Sequence, residues 1–103
     1  MIAPRMTNAL GITPPPSGAT LGSCTDLEWT RLIDVINPAS MIVVIDARMG
    51  EVLRARTTAE DLWQETLLAA WRDRDQCVWQ DLPTFRRWLL KVALLMAHFK
   101  RFE

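Results

Sequence analysis

At 103 residues the chain is the size of one small domain, and with half of its residues hydrophobic it is not disordered throughout. Twelve Lys and Arg offset twelve Asp and Glu, so no net charge draws the whole molecule onto nucleic acid. Two cysteines without paired spacing and a single histidine exclude a disulfide framework and any metal site evident from sequence, and both cysteines are expected as reduced thiols. Pro4, Arg5 and Asn8 interrupt the apolar core that a secretion signal needs. The longest apolar runs, 41–45 and 92–97, are too short to span a bilayer. A cytoplasmic location, with no membrane partner, is the expectation.

In chain order, residues 1–22 read as a disordered proline-rich tail, because the run Thr13-Pro14-Pro15-Pro16-Ser17-Gly18 lacks amide donors and clashes with helix. Residues 23–103 read as one helical domain. Ser23 or Thr25 opens its first helix, with Leu27, Leu32, Val35 and Ile36 as core candidates, and Pro38 breaks it at Asn37. The run Met41-Ile42-Val43-Val44-Ile45 would suit a buried strand, but no second strand exists to satisfy its amides. A helix over 39–49 is therefore predicted, stopped by Gly50 and followed by a basic helical turn over 51–56.

Thr57 or Thr58 then caps the next helix, and Glu60 and Asp61 fall in its first turn, where the helix dipole favours carboxylates. With Thr57 as the cap, Glu60 would complete a capping box. Leu62, Thr66, Leu67, Ala70 and Trp71 make its core-facing stripe, while Asp61, Gln64, Glu65 and Leu68 lie on a free flank. A polar loop holding Cys77 and Trp79 follows. Pro83 suits the first turn of the last helix, where Phe85, Trp88, Leu89, Val92, Met96 and Phe99 recur at three- and four-residue steps. That helix carries Arg86, Arg87, Lys91, Lys100 and Arg101 without one acid. The fold class predicted is all-α, a small bundle of three to four helices.

No catalytic constellation emerges, so neither an enzyme nor a cofactor is expected. His98 has no nucleophile near it in sequence. Asp61 and Glu65 share a face, but two carboxylates without a histidine make a poor metal site.

Two blocks carry a family resemblance. Glu60-Asp61-Leu62-Trp63-Gln64-Glu65-Thr66-Leu67-Leu68-Ala69-Ala70-Trp71 resembles the E-D-L-x-Q-E-x-x-L-x-A-W pattern of bacterial RNA polymerase sigma factors. Phe85-Arg86-Arg87-Trp88-Leu89-Leu90-Lys91-Val92-Ala93 resembles their F-R-x-W-L-x-x-I-A block. Order and spacing are similar to region two of the extracytoplasmic-function (ECF) group of the sigma-70 family. Leu32 to Pro38, followed by Met41 to Arg48, resembles the start of that region.

The resemblance implies a transcription initiation factor that binds core RNA polymerase and the promoter minus-ten element. Asp61, Gln64, Glu65 and Leu68 would dock on the clamp helices of the largest polymerase subunit. Trp79, Arg86, Arg87, Lys91, Lys100 and Arg101 would meet the non-template strand, cations on phosphates and the tryptophan at a flipped base. Phe85 and Trp88 are expected in the core. Leu94, Leu95 and Phe99 depart from the polar residues of the family pattern, and Trp63 is bulkier than its usual aliphatic. The family's second domain, region four, which reads the minus-thirty-five element, has no counterpart in this sequence, and a truncated or degenerate relative is the expectation. The alternative is a helical interaction module that binds the clamp or an anti-sigma factor, or self-associates, without competent promoter melting.

Overall fold

Five α-helices and two 3-10 turns make up residues 18–102, which the computed structural model describes; the proline-rich stretch predicted as a tail lies outside them up to residue 17. The helices are α1 (Asp26–Val35), α2 (Pro38–Arg48), α3 (Glu51–Arg54), α4 (Ala59–Arg72) and α5 (Leu82–Arg101). The all-α prediction holds, and residues 41–45 are helical.

Local chemistry sets the helix ends. Thr25 caps α1 through a capping box: its Oγ1 accepts from Glu28 N at 3.2 Å, and the Glu28 carboxylate accepts from Thr25 N at 2.8 Å. The box predicted for α4 does not form, because Thr58 rather than Thr57 is the cap, accepting from Asp61 N at 3.1 Å. Asn37 joins α1 to α2 in the left-handed region, at φ 63°, which its short amide side chain tolerates. Pro38 takes the first position of α2, where a missing N–H costs nothing. Asp81 caps α5, accepting from Thr84 N at 2.8 Å, and the Thr84 hydroxyl first, then this amide, lower the pKa of its carboxyl.

α4 and α5 form the central pair and run in opposite directions. Lys100, at the end of α5, meets Glu65 in the first half of α4, whereas Phe85, at the start of α5, shares Trp29 with Trp71. The seam is lined by small residues: Ala69 and Ala70 on α4, Ala93 and Ala97 on α5, all buried. Thr66 is fully buried there and satisfies its hydroxyl by donating to Leu62 O at 2.7 Å. Trp29 anchors α1 on this pair, edge-on to Trp71 at 5.5 Å and to Phe85 at 5.8 Å.

Three expectations about the core change. On α1 the buried stripe is Trp29, Leu32, Ile33 and Ile36, while Leu27 is exposed. On α5 the buried line is Phe85, Leu89, Ala93 and Ala97, at steps of four; Trp88 and Met96 pack at its edge, and Phe99 is 54% exposed. The seam selects small side chains for its centre, so the largest residues of α5 are not its most buried ones.

The third change concerns the domain boundary at residue 22. Gly18 N donates to Trp79 O at 2.9 Å, Trp79 N to Ala19 O at 2.8 Å, and Leu21 N to Cys77 O at 3.0 Å. These bonds strap residues 18–24 onto the loop before α5, with Thr20 opposite Val78 in an isolated antiparallel bridge. Leu21 is completely buried, so the ordered body includes the strap. Its backbone supplies partners for Cys77 O and for the N–H and C=O of Trp79, which no helix satisfies.

Candidate protein and nucleic-acid interfaces

The outer flank of α4 keeps the residues predicted for it. Asp61, Gln64 and Leu68 are exposed, and Leu68 presents 72% of its surface. They are free because the opposite side of the same helix buries Leu62, Trp63, Thr66 and Ala70. Glu65 is half-buried and ion-paired: Lys100 Nζ lies 2.8 Å from its Oε1. Beside this pair a groove of about 370 Å³ opens between α4 and α5, lined by Leu68, Arg72, Met96 and Phe99. Periodicity assigns Met96 and Phe99 to the core, and the structure puts them on the border of the ridge.

The Glu65–Lys100 pair spans the two predicted surfaces, since one residue was assigned to polymerase and the other to DNA. Both side chains retain solvent, 40% and 23%, so the bond adds little stability. A double-mutant cycle on Glu65→Gln and Lys100→Met in urea unfolding should return a coupling of about 0.2–1 kcal/mol, diminished by salt.

Of the six predicted DNA contacts, two are already committed to the fold. Trp79 is 6% exposed, tilted against Phe85 at 6.0 Å, with its backbone held by the strap. It is therefore a core residue and is corrected from the DNA set. Arg86 is half-buried; its guanidinium donates to Ile36 O at 2.6 Å and to Ser40 Oγ at 3.3 Å. Ile36 caps the end of α1, so Arg86 fastens the α1–α2 corner to α5 and satisfies a carbonyl that the helix leaves orphaned. These two bonds engage its guanidinium within the fold. Lys100 is the Glu65 partner described above. Arg87, Lys91 and Arg101 are exposed, and Arg87 donates one hydrogen bond to Thr84 Oγ1 at 3.1 Å.

Arg87 and Lys91 flank a groove of about 490 Å³ between α5 and the preceding loop, with Val78, Trp88, Leu90 and Leu94 among its walls. Trp88 stacks on Phe85 at 6.2 Å with 18° between the rings and reaches this groove with part of its surface. Sequence reasoning gave Trp88 wholly to packing; its place beside two helical cations, at 87 and 91, was the signal for a mixed role.

Among the described residues no group of three or more His, Cys, Asp or Glu side chains is placed to hold a metal ion. No described helix is long and apolar enough to cross a membrane. No family model, curated protein or solved structure matches the chain.

Proposed function

We propose that this chain acts in transcription initiation as a domain resembling sigma region two, gripping RNA polymerase through α4 and meeting unpaired promoter DNA along α5. The observation that carries the reading is the ridge of Asp61, Gln64 and Leu68, exposed in one line on the helix whose sequence bears the E-D-L-x-Q-E resemblance. Carboxylates beside an amide around an exposed leucine suit a helix that offers arginines and one apolar anchor. Arg87 and Lys91 beside the Trp88 groove suit a single strand, with cations on phosphates and a base against the apolar wall. ECF-group membership and a cytoplasmic site of action belong to the same proposal.

A second reading is a clamp-binding or anti-sigma-binding module that does not melt promoters. It is favoured by Trp79, the residue expected at a flipped base, which is buried, and by Arg86, whose guanidinium is bonded within the fold.

The two separate in one experiment on the full chain. Leu68→Asp should weaken retention on core RNA polymerase by about tenfold or more, as expected for an interface anchor. Arg87→Gln with Lys91→Gln should instead weaken anisotropy-detected binding to an A/T-rich single-stranded oligonucleotide and flatten its log-affinity against log-salt slope by about 1.4. Retention on polymerase without oligonucleotide binding selects the second reading. No retention on polymerase overturns the first reading and the clamp-binding form of the second.

A further inference from the structure

Neither thiol is used by the proposed function, yet both stand where the strap meets the loop before α5. Cys24 ends the 3-10 turn Leu21–Ser23, and Cys77 ends the turn Arg74–Gln76. Backbone bonds tie these turns into one knot. Leu21 N donates to Cys77 O at 3.0 Å, Cys24 N folds back on Leu21 O at 3.1 Å, and Cys77 N folds back on Arg74 O at 3.2 Å. The turns touch so closely that a Cβ at Gly22 would lie 2.9 Å from Asp75 Cβ, so only glycine fits there without displacement.

The thiols also influence each other across the knot. Burial first, then the neighbouring Cys24, push the Cys77 thiol up to about 11. Burial and Glu28 raise Cys24 as well, and the nearby Arg74 guanidinium pulls it back. Arg74 lies 3.7 Å over the Trp71 ring, and its buried Nε has no hydrogen-bond partner. Cys24 is half-exposed and Cys77 is buried. Cys24 is thus the thiol that a reagent in solution reaches, and Cys77 the sheltered one.

We propose that Cys24 and Cys77 form a reversible intramolecular disulfide by exchange with a small-molecule disulfide, locking the strap of residues 18–24 to the loop of residues 77–79. The Cys24 thiolate bonds to one sulfur of the reagent, and the other sulfur leaves as a thiolate. The Cys77 thiolate then bonds to Cys24 Sγ and expels the second half of the reagent. The protein loses two electrons and two protons, and the reagent leaves as two thiols. The charged groups around the pair are Glu28 on α1, Arg74 and Asp75 in the second turn, and Arg87 and Lys91 along the groove that Cys77 also lines. Because both thiols sit above the ordinary range, exchange is slow at neutral pH and quickens about tenfold per pH unit until Cys24 ionises.

The bond would close a loop that holds α1 to α4, which restricts the unfolded chain. The test treats the full chain with oxidised glutathione at mildly alkaline pH, followed by peptide mass spectrometry without reductant and by thermal melting. The expected product has lost two hydrogens, joins the Cys24 and Cys77 peptides, melts about 5 °C or more higher, and reverts with dithiothreitol. In Cys77→Ala the glutathione adduct on Cys24 should persist; in Cys24→Ser, whose change lies at a half-exposed site, Cys77 should stay unmodified. A glutathione adduct retained on wild-type Cys24, a disulfide between two chains, or a linked product that melts lower overturns the proposal. None of these outcomes depends on binding to polymerase or DNA.

Discussion

Replacing Phe85 with alanine is expected to cost about 3–5 kcal/mol of unfolding free energy. A small domain holds only about 5–15 kcal/mol in total, so the variant should lose a large fraction of its stability. Phe85 is 1% exposed and touches the rings of Trp29, Trp79 and Trp88. Through them it joins α1, the pre-α5 loop and α5 itself. Truncation removes the shared face of three aromatic contacts and leaves a cavity that rigid indoles cannot collapse into. Urea unfolding followed by tryptophan fluorescence measures the loss. Phe85→Leu should recover a large part of it, since most of the volume returns. A loss below about 1 kcal/mol for the alanine variant would mean that the aromatic cluster is not the keystone of the fold.

Arg86→Ala should have the next largest effect, about 1.5–3 kcal/mol, because a charged donor leaves a carbonyl at the end of a helix unsatisfied. Two of its nitrogens bond to the α1–α2 corner, to Ile36 O and Ser40 Oγ. Arg86→Lys should restore little, since one ammonium cannot copy a guanidinium fork to two separated acceptors. The same variants bear on the interface. If Arg86 is a fastening and not a phosphate contact, the slope of log affinity against log salt for a single-stranded oligonucleotide stays at the wild-type value under conditions where the variant is folded. A flattened slope with unchanged stability would make Arg86 a phosphate contact.

The C-terminal end of α5 is apolar on its exposed side as well. Leu94, Leu95, Phe99 and Phe102 are all exposed, at 38%, 51%, 54% and 77%. In the family pattern that the sequence resembles, this stretch is polar. Here Phe99 borders the groove that Leu68 also lines, so the exposed leucine of α4 and part of this apolar surface adjoin.

Much was legible before any coordinates, and for local reasons. A threonine immediately ahead of a helical run marks a cap, and Thr25 and Thr58 serve so. The helical period separates Asp61, Gln64 and Leu68 from Leu62, Thr66 and Ala70 within α4 alone. The absence of a pairing partner made residues 41–45 helical despite their β-branched side chains.

What the chain could not disclose locally is which side chains the rest of the fold would claim. Arg86 reads as a free cation until Ile36, fifty residues earlier, brings a bare carbonyl to it. Trp79 reads as a loop aromatic until residues 18 and 19 pair with its backbone and carry it inward. Leu21 reads as tail until that same pairing buries it. Helix identity, caps and the outward ridge follow from neighbours within a turn or two, where covalent geometry keeps partners together. Burial and occupancy of polar groups are settled by segments far apart along the chain, and only the closed tertiary structure brings those into contact.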